Sequence, residues 1–361
     1  MGDTPSRPIA SPRRPRAELK GRQPEAGALA AVRSLIGPGP HRRDLLIEYL
    51  HRINDAHGAL FEGHLVALAS VMGLPMAEVH EVASFYHHFE VVADGSPVPR
   101  VTVRVCESLA CEMAGAQDLV RRLGAVLGEG VRVARVPCVG RCAQAPVAVV
   151  GQRPVPHAQA DAVVALAEAG HVRHPAAADD GAFDPVAVAT GPVAPADELS
   201  PPYVGLAAYR SLGGYQLAAA VVQGEHPAED ILQALDASGL RGLGGAGFPA
   251  ARKWRIVRGQ PGPRVMAVNI DEGEPGTFKD RTYLERDPHR FLEGMLIAAQ
   301  VVGIESVFLY LRDEYAGCRE ILGRELGRLR ADPPCPLPHI ELRRGAGAYV
   351  CGEESAMIES I

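Results

Sequence analysis

The first regular pattern along the chain is helical, between residue 41 and about residue 89. Apolar residues recur there every three or four positions, which predicts amphipathic helices. The positions are Leu45, Leu46, Tyr49, Leu50, Ile53, Leu65, Leu68 and Val71. Gly73-Leu74-Pro75 interrupts the pattern, and Pro75 is suited to open the next helix. We expect residues 26–92 to form a small helical bundle, with a core-packing stripe of Phe85, Tyr86 and Phe89.

A two-residue alternation of apolar and polar positions begins after Asp94-Gly95-Ser96-Pro97. Residues 101–105 and 131–136 alternate as strands do, and each run leads to a cysteine. A third strand is predicted at 147–150, with helices at 116–127 and 158–169. Residues 98–172 are therefore predicted to form a small α/β domain.

Two segments have too few large apolar residues to form a core. Residues 1–25 are rich in arginine and proline and are predicted to be a disordered tail. A targeting signal is the alternative, although the segment has no apolar central region. Residues 173–202 are rich in alanine, aspartate and proline, which is typical of a linker.

A further domain is predicted from residue 203 to residue 361. Helical patterns at 228–237 and 290–303 alternate with strand-like runs at 265–269 and 306–310, which favours an α/β fold. The chain ends inside an apolar helical run, residues 357–361, without a helix stop signal. We therefore expect this domain to be incomplete at its C-terminal end.

Composition excludes two classes of partner. The formal charge of the 361-residue chain is −6, so no overall positive field draws it to nucleic acid. Residues 291–311 form the longest apolar stretch, but Glu293, Gln300 and Glu305 interrupt it, and a bilayer span needs about 20 nearly uninterrupted apolar residues. A buried helix followed by a strand is the better interpretation. Without a signal peptide, we expect a cytoplasmic protein.

Four of the seven cysteines share a pattern. Cys106 and Cys111 are separated by four residues, and Cys138 and Cys142 by three. Thiolates suit iron–sulfur clusters or zinc. Structural zinc prefers a tight knuckle on each side, and plant-type ferredoxins need three closely spaced cysteines. The spacing favours a cluster, with a zinc site or four unrelated buried cysteines as alternatives. Cys351 stands alone and is interpreted as a structural thiol.

Residues 239–249 form a glycine-rich loop, the first of three candidate ligand-binding segments. Glycine lets the backbone approach a ligand closely, and successive bare N–H groups make a nest for phosphate. Arg241 and Lys253 add positive charge nearby. The match to G-x-G-x-x-G is weak because a helix, not a strand, precedes it. A flexible surface loop is the alternative.

The second and third segments are acidic. Asn269-Ile270-Asp271-Glu272-Gly273-Glu274 follows a predicted strand, where carboxylates fit a ligand crevice, although a solvated acidic turn is the alternative. Gly345-Ala346-Gly347 leads to Tyr349 and then to Gly352-Glu353-Glu354 at the start of an apolar helix. Glutamates at this position also suit the helix dipole, a purely structural explanation.

The cysteine motifs, Cys106-Glu-Ser-Leu-Ala-Cys111 and Cys138-Val-Gly-Arg-Cys142, resemble the thioredoxin-like 2Fe–2S ferredoxin family. More narrowly, they resemble the small iron–sulfur subunit of the NADH-oxidising arm of respiratory complex I, as does Glu81-Val-Ala-Ser-Phe-Tyr86 with Phe89. The resemblance implies a 2Fe–2S cluster bound by four cysteines and one-electron transfer.

Together, the three loops resemble the FMN- and NADH-binding flavoprotein subunit of complex I. The resemblance implies that the glycine loop holds the FMN phosphate through Arg241, Gly242, Gly244, Gly245, Ala246, Gly247 and Lys253. Asn269, Asp271 and Glu272 would bind the isoalloxazine and ribityl groups, Glu274 would face the nicotinamide as the catalytic residue, and Phe248 would stack near the adenine. Tyr349, Gly352, Glu353 and Glu354 would shape the cleft. Leu243 departs from the family, which usually has arginine there.

The fusion of both complex I-like parts in one chain resembles the β subunit of soluble NAD-dependent formate dehydrogenases. This implies a partner subunit with a molybdenum or tungsten pterin cofactor and further Fe–S clusters, and a 4Fe–4S cluster beyond residue 361. The alternatives are the diaphorase subunit of an NAD-reducing hydrogenase and the complex I NADH dehydrogenase module. A zinc-binding interaction module is the alternative from a different functional class.

Overall fold

The computed structural model describes residues 21–182, 199–243 and 246–361. Most of the predicted tail and the middle of the predicted linker lie outside these residues. The described ends of the linker region are packed, since Tyr203 N–H donates to the carbonyl of Ala178 and Gly181 N–H donates to the carbonyl of Tyr203.

The N-terminal helices confirm the helical pattern read from the sequence. Gly58 and Gly73 end α2 and α3 in the left-handed conformation that favours glycine. Two short strands pair in parallel beside the helices. The elements are α1 (Ala26–Ile36), α2 (Leu46–His57), β1 (Leu60–Phe61), α3 (Glu62–Met72), α4 (Met76–Phe85) and β2 (Val91–Val92).

The predicted aromatic stripe is partly wrong. Phe89 is buried and Tyr86 packs against the same core, as expected. Phe85 is 68 % exposed. The reason is that α4 ends at Phe85 and Tyr86 adopts an extended conformation, so helical spacing no longer relates Phe85 to the residues that follow it.

The second body is a four-stranded mixed sheet in the order β4-β3-β5-β6. β3 runs parallel to β4 and antiparallel to β5. Helices α6 and α7 cover the sheet through an apolar core that includes Val103, Leu123 and Val163. The elements are β3 (Val101–Cys106), α5 (Leu109–Met113), α6 (Ala116–Val126), β4 (Val131–Val136), β5 (Ala148–Val150), β6 (Arg153–Val155) and α7 (Ala160–Glu168).

The third body contains a parallel sheet in the order β7-β8-β9. Its core packs α13 and α14 against the central strand β8. The elements are α8 (Leu206–Ser211), α9 (Gln216–Gln223), α10 (Ala228–Ser238), α11 (Ala250–Arg258), β7 (Val265–Ile270), α12 (Lys279–Leu284), α13 (Pro288–Val302), β8 (Ser306–Leu311), α14 (Ala316–Ala331), β9 (His339–Arg344) and α15 (Glu354–Ser360). The apolar stretch at 291–311 is thus a helix followed by a strand, as predicted. Among the helices of the described ranges, none combines the length and apolarity needed to cross a bilayer.

The helical bundle packs directly on the third body. Its apolar core continues into Tyr310, Cys351 and Met357, and Cys351 is a buried thiol as predicted. Polar contacts along β9 reinforce this junction, because Arg343 pairs with Asp44 at 2.5 Å. The bundle therefore supports the strand that leads into the loop at 345–354.

Candidate functional site: a four-cysteine cluster beside a loop-lined cleft

The sheet brings two of the four predicted cysteine ligands together. β3 and β4 are parallel neighbours with Cys106 opposite Val136, so both strands end at the same edge. Cys138 follows β4 by two residues and therefore lies beside Cys106. The other two thiols come from short turns at this edge: Cys111 lies on α5, and Cys142 opens a 3-10 turn.

The four thiols form one connected group. Cys106 hydrogen-bonds to both Cys111 and Cys138, and the sulfurs of Cys138 and Cys142 are 3.4 Å apart. All four are free thiols, and all except Cys142 are fully buried. The hydrogen bond from Cys106, together with burial, raises the pKa of the Cys138 thiol well above its ordinary value.

This donor set fits an iron–sulfur cluster. Cysteine thiols must lose their protons to bind metal. A cationic metal centre then offsets the repulsion between the four neighbouring thiolates. Two backbone amides already point at the sulfurs: Gly140 N–H donates to Cys138 Sγ at 3.4 Å, and Gly276 N–H donates to Cys142 Sγ at 3.1 Å. Amide donors to cluster sulfurs are among the features that set cluster potentials.

The acidic loop and the 345–354 loop meet at the carboxyl edge of the parallel sheet. Asn269, at the end of β7, donates through Nδ2 to the carbonyl of Gly352 at 2.9 Å. Gly352 lies so close that a Cβ there would come within 2.7 Å of the Asp271 carbonyl oxygen. The structure therefore joins two of the three predicted segments into one cleft wall.

One carboxylate oxygen of Asp271 has no hydrogen-bond partner in this wall. Its Oδ2 is buried and accepts no hydrogen bond from any described residue. Burial raises the pKa of this carboxyl to about 7, against the opposing effect of Arg312. A ligand hydroxyl or ring N–H would satisfy this oxygen, so the residue fits the predicted contact with FMN.

The carboxylate of Glu272 faces the protein. It accepts hydrogen bonds from the backbone N–H groups of Asp280 and Arg281, at 3.0 and 3.3 Å, and from the Tyr315 hydroxyl at 2.9 Å. These contacts hold the start of α12. The predicted flavin contact of Glu272 stays a prediction, since its side-chain oxygens are already used.

Glu274 and Tyr349 lie across the cleft mouth from each other. Both are exposed, and the Tyr349 hydroxyl is 3.5 Å from Glu274 Oε1. Glu353 caps α15, because its carboxylate accepts the Ala356 N–H at 3.0 Å. Glu354 is the first, exposed residue of that helix. Glu274 and Tyr349 are thus free to meet a ligand, whereas Glu353 has a structural role already.

The glycine loop is closed at its neck. Gly242 N–H donates to the carbonyl of Phe248 at 3.0 Å, and Ala250 N–H donates to that of Leu240 at 2.9 Å. The loop leads directly into α11, so its backbone stands at a helix N-terminus, which favours anions. Lys253 is exposed in the first turn of α11, Arg241 donates to the Gly247 carbonyl at 3.0 Å, and Leu243 is 84 % exposed.

Arg252 stacks over the Phe248 ring at 5.6 Å, beside the loop. Ala246 lies inside the described range, but Gly244 and Gly245 lie outside it. Among the described residues, no hydrogen bond joins the glycine loop to the other two segments. Of the three predicted segments, the acidic loop and the 345–354 loop are therefore joined by hydrogen bonds, and the described part of the glycine loop is not joined to them.

The thiol group and the cleft are in direct contact. Gly276, which donates to Cys142, belongs to the acidic loop. Arg281 Nε donates to the Gly140 carbonyl at 3.0 Å, and Arg141 pairs with Glu285 at 3.0 Å with both side chains buried. The cysteine edge of the second body and the loop edge of the third therefore form one continuous site.

Sequence patterns do not single out Arg281, Arg312 or Tyr315, which line this contact. Arg312 directly follows β8, just as the acidic loop follows β7. Because ligands bind at the carboxyl edge of a parallel sheet, this position could have been predicted as part of the site. No comparable signal marks Arg281 or Tyr315, whose importance depends on where the second body docks.

Comparison with known proteins agrees with this geometry. Residues 32–170 match the family model described as thioredoxin-like [2Fe-2S] ferredoxin, and residues 235–361 match the one described as Nuo51 FMN-binding domain. The chain therefore contains a thioredoxin-like 2Fe–2S domain followed by an FMN-binding domain, as predicted. The first match begins within α1 and so takes in most of the helical bundle.

Two curated relatives match different shares of the chain. The mitochondrial NADH-ubiquinone oxidoreductase 51 kDa subunit of Neurospora crassa is 41 % identical over 144 residues, 36 % of this chain and 29 % of the relative. The NAD-reducing hydrogenase HoxS subunit alpha of Cupriavidus necator is 30 % identical over 351 residues, 88 % of this chain and 55 % of the relative. The chain therefore spans about half, or less, of the curated relatives it matches.

A solved structure has the same arrangement. The structure described as an NAD+-reducing [NiFe]-hydrogenase in the H2-reduced state superposes with a TM-score of 0.65 at 33 % identity. It covers 88 % of this chain, which spans 54 % of the matched chain. The likeness therefore extends over both domains.

Proposed function

We propose that this chain is the NAD(H)-linked electron-transfer part, or diaphorase, of a multi-subunit oxidoreductase. Electrons would pass between NAD(H) and iron–sulfur clusters through FMN. The observation that carries the proposal is the hydrogen bond from the acidic-loop amide of Gly276 to Cys142 Sγ, which puts the flavin cleft and the cluster ligands in contact. Bound FMN supplies the exchange between two-electron and one-electron chemistry.

The residues of the chain would bind and orient these groups. The glycine loop and Lys253, at the N-terminus of α11, would hold the FMN phosphate. Asp271 would accept a hydrogen bond from the flavin through its unpaired Oδ2. Glu274, exposed at the cleft mouth beside Tyr349, would face the nicotinamide.

The test is Lys253→Gln and Glu274→Gln, each introduced into the complex purified with its native partners. Loss of a charge-assisted contact costs about 1.5–3 kcal/mol, so we expect NADH-driven dye reduction to fall about tenfold or more. Arg255→Gln is the matched control on α11, because its ion pairs with Glu229 and Asp236 lie on the surface and are worth little. Unchanged activity in the first two variants would remove those residues from the site.

The partner enzyme is a finer proposal. The fusion of both domains in one chain supports formate oxidation to CO2 coupled to NAD+ reduction, with a molybdenum or tungsten pterin subunit as partner. A specific observation favours a second candidate: the hydrogenase HoxS subunit alpha matches across both domains, whereas the NADH-ubiquinone oxidoreductase relative matches only 36 % of the chain. A diaphorase of an NAD-reducing hydrogenase is therefore equally supported.

One assay separates these candidates. The native complex is supplied in turn with formate and with H2, and NAD+ reduction is followed, with NADH-driven dye reduction as the control. Formate activity identifies a formate dehydrogenase, and H2 activity a hydrogenase. If neither donor works while the dye reaction is intact, the diaphorase proposal stands and a respiratory enzyme becomes the better assignment.

A further inference from the structure

One of the buried arginines between the two redox sites, Arg312, contacts both of them. Arg312 follows the central strand β8 and is 3 % exposed. One end of its guanidinium group donates through Nη2 to the main-chain carbonyl of Cys138, a cluster ligand, at 2.5 Å. Through Nη1 it donates to the main-chain carbonyl of Glu272, in the acidic loop of the cleft. The two terminal nitrogens of the guanidinium group thus bridge the main chain of a cluster ligand and the acidic loop of the flavin cleft.

The charge of Arg312 is maintained in this position. Burial alone would lower its pKa, but Glu314, whose carboxylate accepts from Nε at 3.0 Å, outweighs that effect and holds the pKa above its ordinary value. The same guanidinium group therefore places one positive charge beside Cys138 and beside the acidic loop.

Reduction of a 2Fe–2S cluster adds one negative charge. A buried cation beside the cluster stabilises the reduced form, because charges in the protein interior are poorly screened. Net charge and the surroundings of the sulfurs are known determinants of cluster potential. We infer that Arg312 raises the reduction potential of the 2Fe–2S cluster. As a positioning residue, it also holds the acidic loop of the flavin cleft in contact with the cluster-binding segment. Glu314 offsets part of that charge.

This inference deepens the proposed function and rests on it, because it requires the cluster to be present. The experiment is an anaerobic redox titration of the native complex at fixed pH, followed by the electron paramagnetic resonance signal of the reduced cluster. At the ambient potential that half-reduces the wild-type cluster, Arg312→Gln is expected to lower the reduced-to-oxidised ratio at least tenfold, equivalent to about 59 mV. Glu314→Gln is expected to raise that ratio.

Two further variants separate charge from structure. Arg312→Lys keeps the charge but cannot bridge both carbonyls. It should therefore hold the reduced-to-oxidised ratio closer to wild type than Arg312→Gln does. It should also weaken FMN binding, measured as flavin lost on gel filtration. Arg255→Gln also removes one positive charge, but its ion pairs with Glu229 and Asp236 lie on the surface, so it should leave the ratio unchanged. If Arg312→Gln does not retain its cluster, the opposite shift in Glu314→Gln still tests the inference.

Ratios within twofold of wild type in Arg312→Gln and Glu314→Gln, with clusters retained, would overturn the inference. So would shifts of the same sign in both. Absence of the cluster signal in the wild-type complex is a separate result, which would contradict the proposed electron-transfer role instead.

Discussion

Gly140, between the predicted cluster ligands Cys138 and Cys142, shows how closely the two bodies meet. A Cβ at this position would overlap the hydroxyl oxygen of Tyr315, and the backbone φ is +69°. Gly170 has the same φ of +69° but open space around it. The pair therefore separates backbone strain from loss of the contact.

We expect Gly140→Ala to lower the midpoint of thermal unfolding by several degrees more than Gly170→Ala. The left-handed backbone costs each variant about 1–2 kcal/mol, and overpacking adds about 1–3 kcal/mol at Gly140 alone. Differential scanning calorimetry of the two variants is the measurement. Equal decreases would mean that the contact with Tyr315 yields without cost.

Asp271 predicts a pH dependence of stability in the protein without FMN. Its pKa in the folded chain is about 7, mainly because of burial, against about 3.9 in the unfolded chain. The folded chain thus holds a proton that the unfolded chain has already lost. The contribution of this proton to the free energy of unfolding is fully present below about pH 4 and is lost as the pH rises through 7. At about 1.4 kcal/mol per pKa unit, the total loss is on the order of a few kcal/mol.

Urea unfolding of the wild type and Asp271→Asn between pH 4 and pH 8 tests this dependence. The wild type should lose stability relative to the variant as the pH rises. Glu48 also has a pKa of about 7, but it is present in both proteins and cancels in the difference. A pH-independent difference would contradict the shifted pKa.

At the residue scale, the sequence was informative where a pattern depends on local geometry. Two alternating runs that each lead to a cysteine favoured a cluster, with a zinc site or four unrelated cysteines as alternatives, because neighbouring strand ends bring such thiols together. The orientation of Glu272 was not predictable in this way. Its carboxylate turns inward because α12 begins a few residues later and presents its free N–H groups there.

Elements with buried charges escaped sequence analysis. α14 has apolar residues at helical spacing, but Glu325 lies on the same face and is fully buried, bonded to Tyr203 and to His289 at 2.5 and 2.9 Å. In β9, Arg343 is buried although it alternates with the apolar residues Ile340 and Leu342. Partners that satisfy such charges come from distant elements, and the one-dimensional pattern does not contain them.

The helix α13 supports the sheet, and its start depends on one side chain. Asp287 accepts the backbone N–H of Arg290 at 3.3 Å, and Pro288 occupies the first turn. Asp287→Ala should therefore cost about 1–2 kcal/mol of unfolding free energy. Asp230→Ala, in the first turn of α10, is the control and should cost less. Chemical denaturation measures both, and equal losses would argue against the cap.

At the scale of the whole molecule, the helical bundle and the FMN-binding domain share a core, which the predicted domain division did not anticipate. Arg343 fixes the junction: it is 1 % exposed and pairs with Asp44. The loss of a hydrogen bond to a charged group costs about 1.5–3 kcal/mol, so Arg343→Gln should destabilise both parts.

The control for Arg343 is Arg42→Gln, which also loses contacts with Asp44 but is half-exposed and should cost less than about 1 kcal/mol. Thermal unfolding is followed by circular dichroism and by limited proteolysis of the bundle. Loss of the bundle alone, with an unchanged transition of the rest, would contradict a shared core.

The central claim is that one chain holds FMN and a 2Fe–2S cluster in contact, with NAD(H) as the electron partner. Its most direct test is the visible spectrum of the native complex before and after anaerobic addition of NADH, with iron, sulfide, zinc and flavin content measured on the same sample. We predict flavin and cluster absorbance between about 400 and 550 nm, where zinc thiolate is colourless, and bleaching of the flavin by NADH. A colourless protein with stoichiometric zinc, or a flavin that NADH does not bleach, would contradict the account.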